Sequence, residues 1–361
     1  MDRGFYATHM VHLLTAAFLL NAGYPAGVRA GSGLSEGVDN IVLIGWDGVG
    51  REYAQQLIQR RKLPALRYIA RSGSFVTITC IGATDTKAGW AEMLSGYGGR
   101  ITGIVGNHRS GRMPAGLSVF ERVKERWGGS VTTGAIISKN GAALAEMPQR
   151  LPAEKALAEG RTGPVWIDNG MRVMMIPGAP YESAVASIDV FSHAVLDDEV
   201  VCKRALDFIE QNSASRFFLF VHFGGPDNAG HNFGEGSREY RDAIVRADRL
   251  TGAIIRSLSD NNLMERTALV VASDHGFDKG RRTHEYAPDV FMAINRKHVV
   301  KAGLRPDVGA TILALAGIAV AHQRPVPDGQ PLVLSAGRER TSDVRKFVTK
   351  VYLTVQRWSV R

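Results

Sequence analysis

Six short segments of this chain are apolar at nearly every position rather than at alternate ones: NIVLIG (40–45), FVTIT (75–79), VTTGAII (131–137), FFLFVHF (217–223), TALVVAS (267–273) and VFMAI (290–294). A strand with one wet face alternates, so strands of this kind are covered on both faces. Helix-patterned segments fall between them, at 51–62, 117–127, 197–212 (with acidic residues at its start) and 237–261. Strand and helix in alternation predict an α/β chain, a three-layer α/β/α sandwich around a largely parallel central sheet. No fixed-period repeat competes with this reading. The stretch 141–196 breaks the alternation with scattered Gly, Pro and Met, and reads as an insertion or cap over the sheet within a domain spanning 31–335.

The ends of the chain read differently. Behind Asp2 and Arg3 lies MVHLLTAAFLL (10–20), too short to span a bilayer but fitting the core of a signal peptide that ends near Val28-Arg29-Ala30. Residues 1–30 are therefore expected to be a leader, and the protein periplasmic or secreted. Export permits disulfides, and Cys80 with Cys202 allows one bridge or two free thiols. The formal charge is +9, but residues 336–361 carry seven basic and two acidic side chains. Much of the excess thus belongs to a basic C-terminal extension suited to weak contact with an anionic surface. No long single-sign block with interleaved aromatics is present, so specific nucleic-acid binding is not expected.

In a parallel sheet, ligands gather at the carboxyl ends of the strands. IVLIGWD places Asp47 there, VHFGGPDNAGH places Asp227 and His231, and LVVASDH places Asp274 and His275. Taken singly, Asp47 reads as a helix N-cap and Asp274 as a turn residue. Together they form a carboxylate and imidazole set that suits a divalent metal. The glycines of GGPDNAGHNFG (224–234) are read as making a tight loop that brings Asp227 and His231 to one point. Thr86 heads a short apolar helix, AGWAEML, where a hydroxyl activated by a metal could act as nucleophile. His222 reads as a core or supporting histidine, Asp248 as a face or capping contact to the sheet edge, and Trp46 and Trp90 as core. Nothing in the sequence requires His108 or His193 to face the cleft.

These motifs, in this order, resemble the alkaline phosphatase superfamily, in its nucleotide pyrophosphatase/phosphodiesterase-like and sulfatase-like branch. The resemblance runs over about 39–334. It rests on the first strand with Asp47, T-x-T-x-x-x-W-x-x-M-L-S-G (84–96), GIVGN (103–107), PDNAGH (226–231), SDHGF (273–277), DVGATILALAGI (307–318) and PDGQPL (327–332). It implies an alkaline-phosphatase-like fold and two divalent ions, most simply Zn²⁺, about 4 Å apart. One ion would sit on Asp227, His231 and a later histidine, the other on Asp47, Asp274, His275 and the nucleophile Thr86. His284 best matches the later histidine, with His298 and His322 as alternatives. Thr84 is the other threonine of the motif. The implied activity is hydrolysis of a small-molecule phosphate ester, a phosphodiester or nucleotide pyrophosphate, through a phospho-threonine. A phosphomonoesterase, phosphonate hydrolase or mutase of the same superfamily is the alternative, and a catalytically silent metal-stabilised surface binding protein a further one. Ala88-Gly89 stand where diesterases of the family often have Pro-Asn, so Asn107 or Lys87, together with the backbone N–H of Lys87, is expected to supply the phosphoryl-oxygen contacts. Cys80 is followed by Ile81-Gly82-Ala83-Thr84, which lacks the arginine of a sulfatase motif.

Overall fold

β1 (Asn40–Trp46) is buried along its whole length, and its alternate side chains divide between two layers: Ile41 and Leu43 enter one core, Val42 and Ile44 the other. An unbroken apolar run is what such a position requires. The computed structural model describes residues 38–107, 113–139, 149–158, 165–168, 170–176, 182–193, 195, 197–287, 289–297 and 301–332. They fall within one unit bounded by Ser32 and Val333. The expected leader at 1–30, the basic extension at 336–361, His108 and His298 lie outside the described residues.

From β1 the chain runs through α1 (Arg51–Gln59), α2 (Pro64–Ser72), β2 (Ser74–Thr79), α3 (Thr86–Met93), the one-turn α4 (Gly99–Thr102), α5 (Val119–Trp127) and β3 (Val131–Ile137). The middle contains β4 (Gln149–Pro152), α6 (Ala153–Ala158), β5 (Val165–Asp168), β6 (Met171–Ile176), α7 (Glu182–Val185) and β7 (Val190–Ser192). There follow α8 (Asp198–Gln211), β8 (Arg216–Phe223), α9 (Gly225–Phe233), α10 (Arg238–Asp260), β9 (Thr267–Ala272), β10 (Val290–Ile294), β11 (Gly303–Leu304) and α11 (Arg305–Leu315). Among the described residues the main sheet has the order β11-β2-β10-β9-β1-β8-β3-β7. Only β10 runs against its neighbours; the other pairs are parallel. α3, α5 and α11 cover one face, and α1, α2, α8 and α10 the other.

Local sequence explains the longer helices. Ser118 and Glu121 form a reciprocal capping box at the head of α5. α10 is capped by Ser237 and buries Tyr240, Ile244, Ala247, Leu250, Ile254 and Leu258 at helical spacing. α2 has no side-chain cap of its own. Its first amides are met instead by Asp248 from the middle of α10, which accepts from Ala65 N at 3.0 Å and Leu66 N at 2.7 Å. Asp248 therefore caps a helix rather than a sheet edge, and burial pushes its carboxyl up to about 6.

The stretch 141–196 supplies an antiparallel β4-β6-β5 sheet of its own and also β7, which pairs with β3 at the edge of the main sheet. An insertion with no role in the sheet is thus too simple a description: its last strand belongs to the central layer. Three residues with no apolar run give that strand no sequence signal. Cys80 and Cys202 are free thiols, packed in opposite layers. Among the described residues no helix is long and apolar enough to cross a membrane.

Candidate active site

Four adjacent parallel strands, β9, β1, β8 and β3, end at the same edge of the sheet, and each delivers chemistry there. β1 ends at Asp47, β9 at Asp274 and His275, β8 runs into α9 with Asp227 and His231, and β3 runs into Ser138 and Lys139. β2, further along the sheet, leads into α3, whose first residue is Thr86.

GGPDNAGHNFG is not the tight loop expected of it. Residues 225–233 form α9, with Pro226 in its first turn, so Asp227 and His231 stand four apart on one helical face. Glycine is a poor helix former, and packing overrides that propensity here. A Cβ on Gly230 would enter the ring of Phe277, and one on Gly225 would meet the Asp198 carboxylate. The glycines serve close approach of the helix to its neighbours, which composition alone does not distinguish from a turn.

Around Asp227 the structure gathers two groups of ligand-type atoms, each lying within 4.8 Å of one another: Asp227, His231 and His284, and Asp47, Asp227 and His275. The His284 ring centroid lies 5.0 Å from that of His231 and 4.2 Å from that of His275. His275 Nε2 is 3.3 Å from Asp47 Oδ1, 3.6 Å from Asp227 Oδ1 and 3.6 Å from Asp274 Oδ2. Thr86 Oγ1 lies 3.1 Å from His275 Nε2 and 3.5 Å from Asp47 Oδ1. Asp47, Asp274 and His275 are fully buried. His322 lies in the exposed turn after α11 and His193 stacks on Phe191 at the end of β7; neither belongs to the two groups.

The histidines are oriented from behind. His231 Nδ1 faces the Arg282 carbonyl at 2.9 Å and His275 Nδ1 the Gly276 carbonyl at 3.0 Å. A carbonyl accepts only, so each Nδ1 carries the proton and each Nε2 turns inward, the arrangement usual for metal-ligating imidazoles. Thr84 donates its hydroxyl to the His284 carbonyl, tying the loop before α3 to that histidine. Asp47 Oδ2, Asp227 Oδ1 and Asp274 Oδ2 are buried without a hydrogen-bond partner. Asp47 Oδ2 has two nitrogen neighbours, the Lys139 ammonium at 2.9 Å and His222 Nε2 at 3.1 Å, but not in hydrogen-bond geometry. Buried carboxylate oxygens left this way are costly unless a cation meets them. The donor set, the inward imidazoles and the unpartnered Asp227 Oδ1 and Asp274 Oδ2 fit divalent metal.

Charge is strongly perturbed throughout. Burial would raise the Asp47 carboxyl, but Lys139, His222 and His275 hold it well below the usual range. Burial and the neighbouring Asp47 push Asp274 up to about 6. Burial would lower His275, yet the surrounding carboxylates, Asp274 foremost, raise it to about 10. Burial and His275 push His284 down to about 4, leaving it a neutral imidazole at neutral pH.

Asn107 and Lys87 engage each other. Asn107 Oδ1 accepts from Lys87 N at 3.1 Å and Lys87 Nζ donates to Asn107 O at 3.0 Å. The backbone N–H of Lys87, expected to face a phosphoryl oxygen, is thus already bonded. Gly89 has a steric reason for standing in the nucleophile helix: a Cβ there would lie 2.8 Å from Asp274 Cβ and 3.0 Å from Asp274 O. His222 supports Asp47 from inside the core, beside Trp90 and Phe220. Lys139 was not expected at the site. Its ammonium meets Asp47 Oδ2 and Asp227 Oδ2, and the signal that would have found it is its place just past VTTGAII.

The family model for type I phosphodiesterase / nucleotide pyrophosphatase matches residues 41–355. Human ectonucleotide pyrophosphatase/phosphodiesterase family member 7 is 39% identical over 56 residues, which is 16% of this chain and 12% of that protein. The match therefore spans well under two thirds of that relative's length. The structure of murine ectonucleotide pyrophosphatase/phosphodiesterase 5, an inactive threonine-to-alanine variant in complex with AMP, superposes with a TM-score of 0.52 at 13% identity, covering 77% of this chain and 95% of that one. The TAB5 alkaline phosphatase, in a variant with magnesium bound, gives 0.51 at 12% identity over 78% and 98%. The fold is alkaline-phosphatase-like.

Proposed function

This chain belongs to the type I phosphodiesterase / nucleotide pyrophosphatase family, and from that premise we propose that it is a two-metal hydrolase of phosphodiester or nucleotide pyrophosphate bonds with Thr86 as nucleophile. The observation that carries the proposal is the placing of the Thr86 hydroxyl at 3.1 Å from His275 Nε2, beside the two groups that share Asp227. The relatives' names supply the bond class, and the inactive threonine variant of the murine neighbour is in keeping with a threonine nucleophile.

Asp227, His231 and His284 would hold one divalent cation, and Asp47, Asp274, His275 and Thr86 the other. Zn²⁺ suits this mixture of imidazole and carboxylate. Bound there, the cations would supply Lewis acidity that lowers the hydroxyl pKa and neutralises charge on the phosphoryl group. Thr86 Oγ1 gives up its proton to solvent and attacks phosphorus; the Oγ1–phosphorus bond forms as the bond to the leaving oxygen breaks, and that oxygen departs with the electron pair and takes up a proton from solvent. Water then attacks the phospho-threonine, the Oγ1–phosphorus bond breaks and the hydroxyl is restored. The α3 N-terminus, where Thr86 sits, favours negative charge during both steps. With Asn107 Oδ1 accepting from Lys87 N, the side-chain NH₂ of Asn107 is the donor left for a phosphoryl oxygen. We also propose export, through a leader at 1–30, in keeping with relatives named as ectoenzymes.

The test is a panel of mono- and diester p-nitrophenyl phosphates and a nucleotide pyrophosphate, with protein stripped of metal and restored with zinc. Zinc-dependent turnover of diesters over monoesters is expected, lost by several orders of magnitude in Thr86→Ala with metal content largely kept. Preference for monoesters would move the assignment to a phosphatase, and undiminished turnover in Thr86→Ala would remove the covalent route.

A further inference from the structure

Two carboxylates assigned above to different cations are joined by one lysine. Asp47 and Asp227 each divide their oxygens between two directions. Asp47 Oδ1 faces Thr86 and His275, and Asp227 Oδ1 faces His231 and His275. The two Oδ2 atoms face away from those groups and meet the ammonium of Lys139, at 2.9 Å from Asp47 and closer from Asp227. The Lys139 side chain is 16% exposed and the carboxylates are 0% and 2% exposed, so this is a largely buried cation shared by two buried anions.

The approach of Lys139 is built into the sheet. Ser138 N donates to the His222 carbonyl at 3.1 Å, and Ser138 Oγ accepts from Gly224 N at 2.6 Å, which pins the end of β3 to the end of β8. A Cβ on Gly224 would stand 2.6 Å from Ser138 Oγ and 2.8 Å from Lys139 Cγ, so the lysine stem passes through space that only glycine leaves open. Strand pairing, a buried serine and a glycine together hold one ammonium between two carboxylates. A solvated lysine needs none of them.

We propose that Lys139 is a resident counter-cation of the site: it holds Asp47 and Asp227 in place when no metal is bound, and it lowers the affinity for metal once the site is loaded. Both effects follow from charge. Without the ammonium, two buried carboxylates face each other and Asp274 with only imidazoles beside them, those of His275, His222 and His231, an arrangement that costs stability. With metal on the Oδ1 side, the ammonium on the Oδ2 side of the same carboxylates repels it in a poorly screened interior. Lys139 touches neither a reacting atom nor a metal in this arrangement and acts through the carboxylates, as a positioning residue.

The proposal rests on the metal reading above, and the experiment separates the two. Zinc binding to the full chain is measured by competition with a chromogenic chelator, and thermal unfolding is followed with and without zinc, for wild type, Lys139→Met and Lys139→Arg. Lys139→Met, similar in length but uncharged, is expected to unfold at lower temperature than wild type without zinc. It should also bind zinc at least about tenfold more tightly. Lys139→Arg, which keeps the charge, should stay within about threefold of wild type for zinc. If Lys139→Met cannot be recovered without metal, it is purified in excess zinc, where the proposal expects it to fold; failure there too overturns it. Weaker or unchanged zinc binding in Lys139→Met, or unchanged stability without zinc, also overturns it. Wild type that binds no zinc overturns the metal reading instead.

Discussion

Arg305 is the first residue of α11, is 1% exposed, and reaches behind the nucleophile helix. Its Nε lies 2.7 Å from Glu92 Oε2 on α3, Nη2 donates to the Ile81 carbonyl at 3.0 Å, and Nη1 to the Asp274 carbonyl at 3.4 Å. One guanidinium thus ties α3, the chain leaving β2 and the backbone of a candidate ligand. Burial keeps the Glu92 carboxyl above its ordinary value even though Arg305 pulls it down. Burial would lower Arg305, but Glu92, together with Cys80 and Asp274, more than offsets it. The pair is therefore close to balanced as a whole and costly to break from one side. Arg305→Met leaves Glu92 largely buried and without its cation, which costs about 3–5 kcal/mol. Two carbonyls also lose donors, at about 1–3 kcal/mol each if they stay dry. Protonation of Glu92 limits the sum, so a loss of about 4 kcal/mol at pH 7 is the expected value. Arg305→Met with Glu92→Met removes both charges and should recover to within about 2 kcal/mol of wild type. The assay is urea unfolding of zinc-free protein, with midpoint and slope compared across the cycle. In Arg305→Met the Glu92 carboxyl is raised in the folded state, so it opposes folding at neutral pH and the deficit should shrink as pH falls and it becomes neutral. A single-variant loss under about 1 kcal/mol, or a double variant as unstable as the two singles added, would refute the reasoning.

His284→Ala should bring zinc down towards one per chain while His322→Ala keeps both; equal retention in the two would redraw the ligand set. Thr84→Ala removes the hydroxyl that holds the His284 carbonyl and should weaken zinc binding by about tenfold without abolishing turnover; activity lost in Thr84→Ala but kept in Thr86→Ala would reverse the roles of the two threonines. Asp248→Ala exposes the pH sign at the α2 cap. The folded carboxyl sits at about 6, above its unfolded value, so its contribution is full below pH 4 and falls as pH rises through 6. The stability gap between wild type and Asp248→Ala should therefore widen on going from pH 7 to pH 4.5, by about 2 kcal/mol; a gap that narrows refutes the burial account.

The six apolar runs located six of the sheet's strands, and their exits pointed to Asp47, Asp227, Asp274 and His275, because strands covered on both faces carry a signal that does not depend on partners. What stayed hidden depended on contacts made far along the chain. α2 begins at Pro64 but takes its cap from Asp248, 183 residues from Ala65. α9 looked like a turn because its glycines serve the Phe277 ring and the Asp198 carboxylate, and a glycine that makes room for a neighbour reads the same as one that makes a bend. β7 is three residues long and exists by pairing with β3.

Lys139 is the informative omission. VTTGAII reads as a strand, and parallel strands deliver their chemistry at their carboxyl ends, its exit included. A lysine at that exit carries no metal-ligand signal. Charge gives a reason to include it. Three carboxylates brought to one buried point need positive charge from the protein as well as from any ion, and the fold supplies it from β3, which lies beside β8 in the sheet. The neighbours of a candidate ligand strand are therefore the place to look for the counter-charge. In this chain that rule singles out β3 from sheet order, and Lys139 from the residues that follow it.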